Sequence, residues 1–156
     1  MKILSVSGRG TYALVCDVLQ KGGVAIIPTD TVYGIAGDSQ NPRIQEKIAQ
    51  IKQRDPKKRI AWLASDIEMA RRYVEISDNL AEKLARVWPG AFTGIFMKKD
   101  ASDTEGIRVP DFLFARELVR ALGRPVAATS ANRAGGAPCI KIADIMELFG
   151  SEVGID

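Results

Sequence analysis

Histidine is absent from this chain of 156 residues. That absence removes Ser–His–Asp and Cys–His catalysis, histidine-based zinc sites and imidazole general bases. Any chemistry must come from Lys, Arg, Asp, Glu, hydroxyls, backbone amides or a metal held by oxygen. Cysteine is scarce too: Cys16 and Cys139 stand far apart, in no metal-ligand spacing. They read as free thiols in a reducing compartment. Aromatic residues reach only 6%, which argues against a stacking platform for single-stranded nucleic acid. No apolar run approaches the roughly 20 residues of a membrane span. Met1 to Ser7 is too short and too polar in its flank for a signal peptide. A soluble cytoplasmic protein with no membrane role is the expectation. The P-loop signature is missing, as is the protein-kinase signature set. Gly8-Arg9-Gly10 is too short for a dinucleotide fingerprint.

What is present reads as an ordinary globular domain. The length favours a single domain over residues 1–156, long enough to bury roughly two-thirds of its unfolded surface. Hydrophobic residues make up 46% and charged residues 26%, a usual balance. The net charge of +3 is a mild basic excess that fits an anionic ligand such as a nucleotide or RNA.

Ile3 to Val6 reads as a short strand. Thr11 stands where it could cap a helix carrying Leu14, Val15, Val18 and Leu19, ended by Gly22-Gly23. Val24 to Ile27 reads as a buried strand closed by Pro28. Asn41-Pro42 suits a helix start, with Ile44, Ile48 and Ile51 following at helical spacing. Ile60 to Ala64 is another strand. Asp66 opens one helix, and Ser77 or Asp78 opens a second that ends near Trp88-Pro89-Gly90. Strands follow at Phe92 to Met97 and Gly106 to Val109. A helix over Asp111 to Leu122 stops at Gly123. Pro125 to Thr129 is a buried strand and Ala143 to Phe149 a short helix. Helices and strands mix without a strict βαβ rhythm. This predicts an α/β fold with a twisted, open, mixed sheet and flanking helices.

Polar clusters stand at the ends of these strands, where α/β proteins place ligands. Pro28 to Ile35 packs Thr29, Asp30, Thr31 and Tyr33 into one turn. Its hydroxyls could hold a polar substrate or simply stabilise the turn itself. Lys52 to Arg59 carries five cations in eight residues, more than favourable interaction with a helix C-terminus requires. Such a cluster suits a polyphosphate, with Arg binding bidentately and Lys acting as a mobile charge. Ala128-Thr129-Ser130-Ala131-Asn132 places small polar residues after a strand, ahead of Gly135-Gly136. Backbone amides there could approach an anion, or the loop could be only a tight turn. Trp88 to Thr93 gives a rigid turn into a strand, and Arg108-Val109-Pro110 puts a cation at a strand end.

In this order, the clusters resemble the YrdC-like family of threonylcarbamoyl-adenylate synthases, from about Lys21 to Ile145. The family's Pro-Thr-Asp/Glu-Thr-Val-Tyr-Gly segment is met by Pro28 to Gly34. Its Lys-x-Arg signature is met by Lys52 and Arg54, with Lys58 at a further basic position. Its Trp-Pro-Gly turn is met by Trp88 to Thr93, its Arg-x-Pro by Arg108 to Pro110, and its Ser-x-Asn by Ser130 and Asn132. Pro138-Cys139 resembles the bacterial single-domain branch. The resemblance implies a fold built around a basic cavity and a nucleotidyltransferase reaction. L-Threonine and bicarbonate form a carbamate that attacks the α-phosphate of ATP, giving threonylcarbamoyl-AMP and pyrophosphate for tRNA modification. It implies Lys52 and Arg54 as catalytic residues. ATP contacts would come from Lys52, Arg54, Lys58, Thr93, Ser130 and Asn132, and L-threonine contacts from Thr29, Thr31, Tyr33 and Arg108. Mg²⁺ would ride on the ATP phosphates rather than in a protein cage. Partners would be tRNA or the complex that transfers the threonylcarbamoyl group.

The sequence departs from the family at its end. It stops at Asp156, short of the family pattern, without the Ser-Thr segment and late Arg that help close over the nucleotide. Gly150 to Asp156 reads as the start of another strand, and a more open nucleotide site is expected. Arg59 also replaces a small residue or proline. A second reading is a non-catalytic RNA-binding module with the same basic cavity. A third, a carbamoyl-transfer module of a larger maturation protein, is disfavoured because no second domain is present.

Overall fold

Helix α1 (Thr11–Gln20) buries Val15, Cys16 and Leu19 and leaves Leu14 exposed. Steps of three and four residues put the buried set on one face. Gly10, at φ 78°, occupies the N-cap position, so the expectation that Thr11 caps the helix is corrected. Thr11 is instead the first helical residue, and its hydroxyl donates to the Ser5 carbonyl at 2.8 Å. The Gly8 amide donates to the same carbonyl at 3.0 Å. These bonds fold the chain into a turn at Ser5, and the strand expected over Ile3 to Val6 does not form. The computed structural model describes residues 2–151.

After Gly22, β1 (Val24–Ile27) and β2 (Gly34–Asp38) run antiparallel, joined by the 28–33 loop. Helix α2 (Ile44–Lys52) follows. Asn41 acts one turn ahead of it, its side chain accepting from the Arg43 amide at 3.0 Å. A β-carbon on Gly37 would stand 2.1 Å from Ile44 Cδ1, so glycine lets α2 lie directly on β2. Then come β3 (Trp62–Leu63), α3 (Ile67–Arg71) and α4 (Asp78–Leu84). Asp66 and Ser77 cap the two helices by accepting from the amides of Met69 and Leu80, as the sequence leads one to expect. β4 (Thr93–Met97), β5 (Thr104–Arg108), α5 (Leu113–Leu122), β6 (Val126–Ser130) and α6 (Ile142–Phe149) complete the order. Gly123 ends α5 in the left-handed conformation, its amide bonding back to Val119 and Arg120.

The strands form one open sheet in the order β1-β2-β6-β3-β5-β4, with β3 and β5 parallel and every other pair antiparallel. Alternate residues serve two cores, as strand periodicity requires. Ala25, Ala36 and Val126 join Leu19, Leu118 and Phe114. Val24, Ile35 and Ala127 join Ile44, Ile48, Ile51 and Phe149. The mixed α/β architecture matches the expectation. At one end of the sheet the buried Asp38 takes a bidentate clasp from Arg124, at 2.6 to 3.0 Å. Burial pushes the Asp38 carboxyl up, but the Arg124 and Gln40 hydrogen bonds outweigh it and hold the pKa below its usual value. No described helix is long and apolar enough to cross a membrane. The strand expected over Gly150 to Asp156 falls almost wholly on residues 152–156, outside the described residues.

Candidate functional site

Lys52 is the last residue of α2 and only 3% exposed. The helix stops there because Gln53 turns left-handed, at φ 52°. The Lys52 stem runs through the core, and its ammonium emerges under the loop that leaves β6. It donates to the Ser130 carbonyl, to the Asn132 carbonyl at 3.0 Å and to Asn132 Oδ1 at 2.8 Å. Three N–H donors meet three acceptors, so every proton of the ammonium is engaged by this loop. Ser130 Oγ donates to Asn132 Oδ1 at 2.7 Å, and Asn132 Nδ2 donates to the carbonyls of Arg133 and Gly136. The Ala134 amide returns to the Lys52 carbonyl at 2.9 Å. Burial, then the neighbouring charges of Arg54 and Lys58, lower the Lys52 pKa to about 8.

Arg54 and Lys58 flank this knot. Arg54 Nη2 donates to the Lys58 carbonyl at 2.9 Å. Its Nε is buried with no hydrogen-bond partner among the described residues, an uncommon state for a buried donor. Burial also pushes the Arg54 pKa down. The Lys58 side chain is exposed; its carbonyl takes the Arg54 bond, and its charge acts on Lys52.

A second set forms where the 28–33 loop meets β5. Arg108 Nη2 pairs with Asp30 Oδ1 at 2.6 Å, Nη1 donates to Thr31 Oγ1 at 3.2 Å, and Nε donates to the Gly90 carbonyl at 3.0 Å. The two charged side chains are 15% and 13% exposed. Thr29 Oγ1 lies 3.1 Å from Thr31 Oγ1 and donates to the Val32 carbonyl at 2.7 Å. The Thr hydroxyls therefore stabilise the turn, and that of Thr31 also meets the guanidinium. Thr93 stands directly opposite Arg108 in the β4–β5 register.

Backbone joins the two sets. Gly34 pairs with Ser130 across β2 and β6. Tyr33 donates its amide to the Cys139 carbonyl at 3.1 Å and accepts from the Ala131 amide at 2.8 Å. Thr29 Cγ2 lies 4.0 Å from where a β-carbon on Gly34 would stand. The sequence-predicted residues thus gather as Lys52 with Ser130 and Asn132, and Thr29 and Thr31 with Arg108. Tyr33 lies between the groups, while Thr93 and Arg54 adjoin them. An apolar cavity of about 140 Å³ beneath the N-terminal segment touches the region only through Pro28 and Tyr33.

Sequence reasoning passed over three participants. Asp30 lies inside the quoted turn, and a carboxylate between two hydroxyls was the available signal. Arg133 donates to the Ile51 carbonyl and covers the Phe149 ring at 5.2 Å. The Gly90 carbonyl carries no sequence signal, because any residue supplies one.

A family model for Sua5, YciO and YrdC proteins, described as "Telomere recombination", matches residues 17–155. A threonylcarbamoyl-AMP synthase of Vibrio parahaemolyticus is 31% identical over 153 residues, covering 91% of this chain and 83% of that protein. A second, from Photobacterium profundum, is 30% identical over 150 residues, covering 89% and 81%. Among solved structures, a Sua5 double variant from P. abyssi superposes with a TM-score of 0.83 at 24% identity. It covers 92% of this chain, which spans about half, 47%, of that protein. P. abyssi Sua5 complexed with L-threonine gives a TM-score of 0.81 at 23% identity, covering 94% of this chain and 45% of that one. E. coli YciO gives 0.78 at 22% identity, covering 93% and 77%.

Proposed function

The chain belongs to the Sua5, YciO and YrdC family, and on that premise we propose that it is an L-threonylcarbamoyladenylate synthase, a nucleotidyltransferase acting in tRNA modification. The observation that supports this most is the junction of Lys52 with the Ser130–Asn132 loop, a meeting of residues 78 to 80 positions apart. In this reading the amine of L-threonine takes up carbon dioxide derived from bicarbonate. One oxygen of the resulting carbamate attacks the α-phosphorus of ATP, and the bond to the β-phosphate oxygen breaks. Threonylcarbamoyl-AMP and pyrophosphate leave.

Such a transfer gathers negative charge on phosphate oxygens and needs little proton shuttling, so cations and positioning suffice without histidine. Arg54, with an unpartnered buried N–H, and the exposed Lys58 are placed to take phosphate oxygens. Lys52 acts by a different route from direct phosphate contact: with its ammonium saturated by the loop, it fixes the backbone of residues 130–132 where the nucleotide sits. Ser130, Asn132 and Thr93 border the nucleotide. Thr29, Thr31, Tyr33 and Arg108 hold L-threonine, the guanidinium taking the α-carboxylate. Mg²⁺ would arrive on the triphosphate rather than in a protein cage. The product would pass to the complex that modifies tRNA, in the cytoplasm where ATP and tRNA meet.

The test is pyrophosphate release measured with ATP, L-threonine and bicarbonate, omitting each in turn. Release should require all three. Nucleotide turnover indifferent to threonine would sink the reading. RNA retention with no release at all would favour the binding module instead.

A further inference from the structure

Asp30 has one carboxylate oxygen on Arg108 and a second that accepts no hydrogen bond among the described residues. Both side chains are mostly buried. The pair therefore presents a fixed anion and a fixed cation side by side, next to the Thr31 hydroxyl, which the Thr29 hydroxyl contacts in turn. A free α-amino acid carries its ammonium and its carboxylate on adjacent bonds, so a neighbouring carboxylate–guanidinium pair complements it in both charge and spacing. The Thr hydroxyls stand where a side-chain hydroxyl of the ligand could bond. Arg108 is already oriented from three sides, by Asp30, Thr31 and Gly90. Without Asp30 it would still be held by Thr31 and by the Gly90 carbonyl.

We propose that Asp30 is the residue that reads the amino nitrogen of the amino-acid substrate, accepting an N–H from it before carboxylation and from the carbamate N–H afterwards. This rests on the threonine reading given above and adds a selectivity element to the same site. Arg108 and the Thr hydroxyls cannot tell an amino acid from the corresponding hydroxy acid, because both carry the carboxylate. A carboxylate acceptor can, since a charged ammonium donor binds it more strongly than a neutral hydroxyl does. The carboxylate also remains matched through the reaction, because threonine retains an N–H when it becomes a carbamate.

The test is calorimetric titration of the native chain and Asp30→Asn with L-threonine and with 2,3-dihydroxybutanoate, in which a hydroxyl replaces the amino group. The native chain should prefer threonine by about tenfold to a hundredfold, the range of one hydrogen bond to a charged group. Asp30→Asn should lose most of that preference by weakening threonine alone. If the variant weakens both ligands equally, Asp30 acts only through Arg108 and the proposal is overturned. Unchanged threonine affinity in the variant overturns it too, while leaving the threonine reading intact. A native chain that binds neither ligand takes down both. Thermal melting checks that the variant folds. Should it not fold, Asp30→Glu, which keeps the charge, is expected to retain the preference for threonine, and equal losses for both ligands overturn the proposal there as well.

Discussion

Lys52→Met should lower kcat/KM for threonine-dependent pyrophosphate release by about a hundredfold, the loss that follows when a positioned group shifts by roughly an ångström. The ammonium is the common anchor of the Ser130 and Asn132 carbonyls and of Asn132 Oδ1. Met preserves the apolar stem and removes the donors, so the loop loses its tie to α2 while the core stays filled. Removing a buried charge offsets part of the cost of the lost bonds, and the fold should survive. On the proposed reading L-threonine is held by the 28–33 loop and Arg108, so its binding should change little, and calorimetry with threonine and steady-state kinetics separate the two effects. A variant with the native rate would show that the loop holds its shape without the lysine.

The same group ties activity to pH. Below about 8 the ammonium has a proton for each acceptor; above that value it loses one. A neutral amine offers two donors and turns a lone pair toward carbonyl oxygen. The native rate should therefore fall as pH rises through about 8, and Lys52→Met should lack this limb. Stability should move the other way. The folded-state value lies below the unfolded value of roughly 10.4, so between the two the unfolded chain binds more protons and the fold gains stability from this group as pH rises. Activity and urea midpoint measured across this window should run with opposite slopes. Parallel slopes would mean that another group governs the profile.

The sequence made α5 and β1 legible because their apolar spacing and glycine stops are local signals. It gave little sign of β2, Gly-Ile-Ala-Gly-Asp, which has low strand propensity and exists because β1 and β6 pair with it from both sides. Ile3 to Val6 shows the converse: a strand-like pattern overruled by two hydrogen bonds to the Ser5 carbonyl. The site followed the same division. Lys52, Ser130 and Arg108 stood out as chemistry-bearing residues at element ends. That Lys52 would be saturated by the loop depends on the left-handed turn at Gln53 and on where β6 ends. The Asp30–Arg108 pair spans 78 residues and forms only once β5 has taken its place in the sheet. Composition holds no trace of either.

Phe149→Ala should destabilise the fold by about 3–5 kcal/mol, the usual cost of emptying a fully buried aromatic site. Phe149 is wholly buried among Val24, Ile35, Ile48, Ile51 and Ile145, so the cavity would be walled by the sheet on one side and α2 on the other. Against a total stability of roughly 5–15 kcal/mol, that is a large share. At about 2–4 °C per kcal/mol for a domain of this size, the melting midpoint should drop by about 6–20 °C. Phe149→Leu refills most of the volume and should cost much less. The effect reaches the site, because the Phe149 ring underlies the Arg133 guanidinium at 5.2 Å, and Arg133 donates to the Ile51 carbonyl one residue before Lys52. Phe149→Ala, assayed well below its midpoint, should therefore also turn over more slowly than Phe149→Leu. Equal rates in the two variants would show that α6 stabilises the sheet without helping to hold the Ser130–Asn132 loop. A midpoint within about 2 °C of the native one, less than 1 kcal/mol on that scale, would contradict the packing of α6 against β1 and β2 altogether.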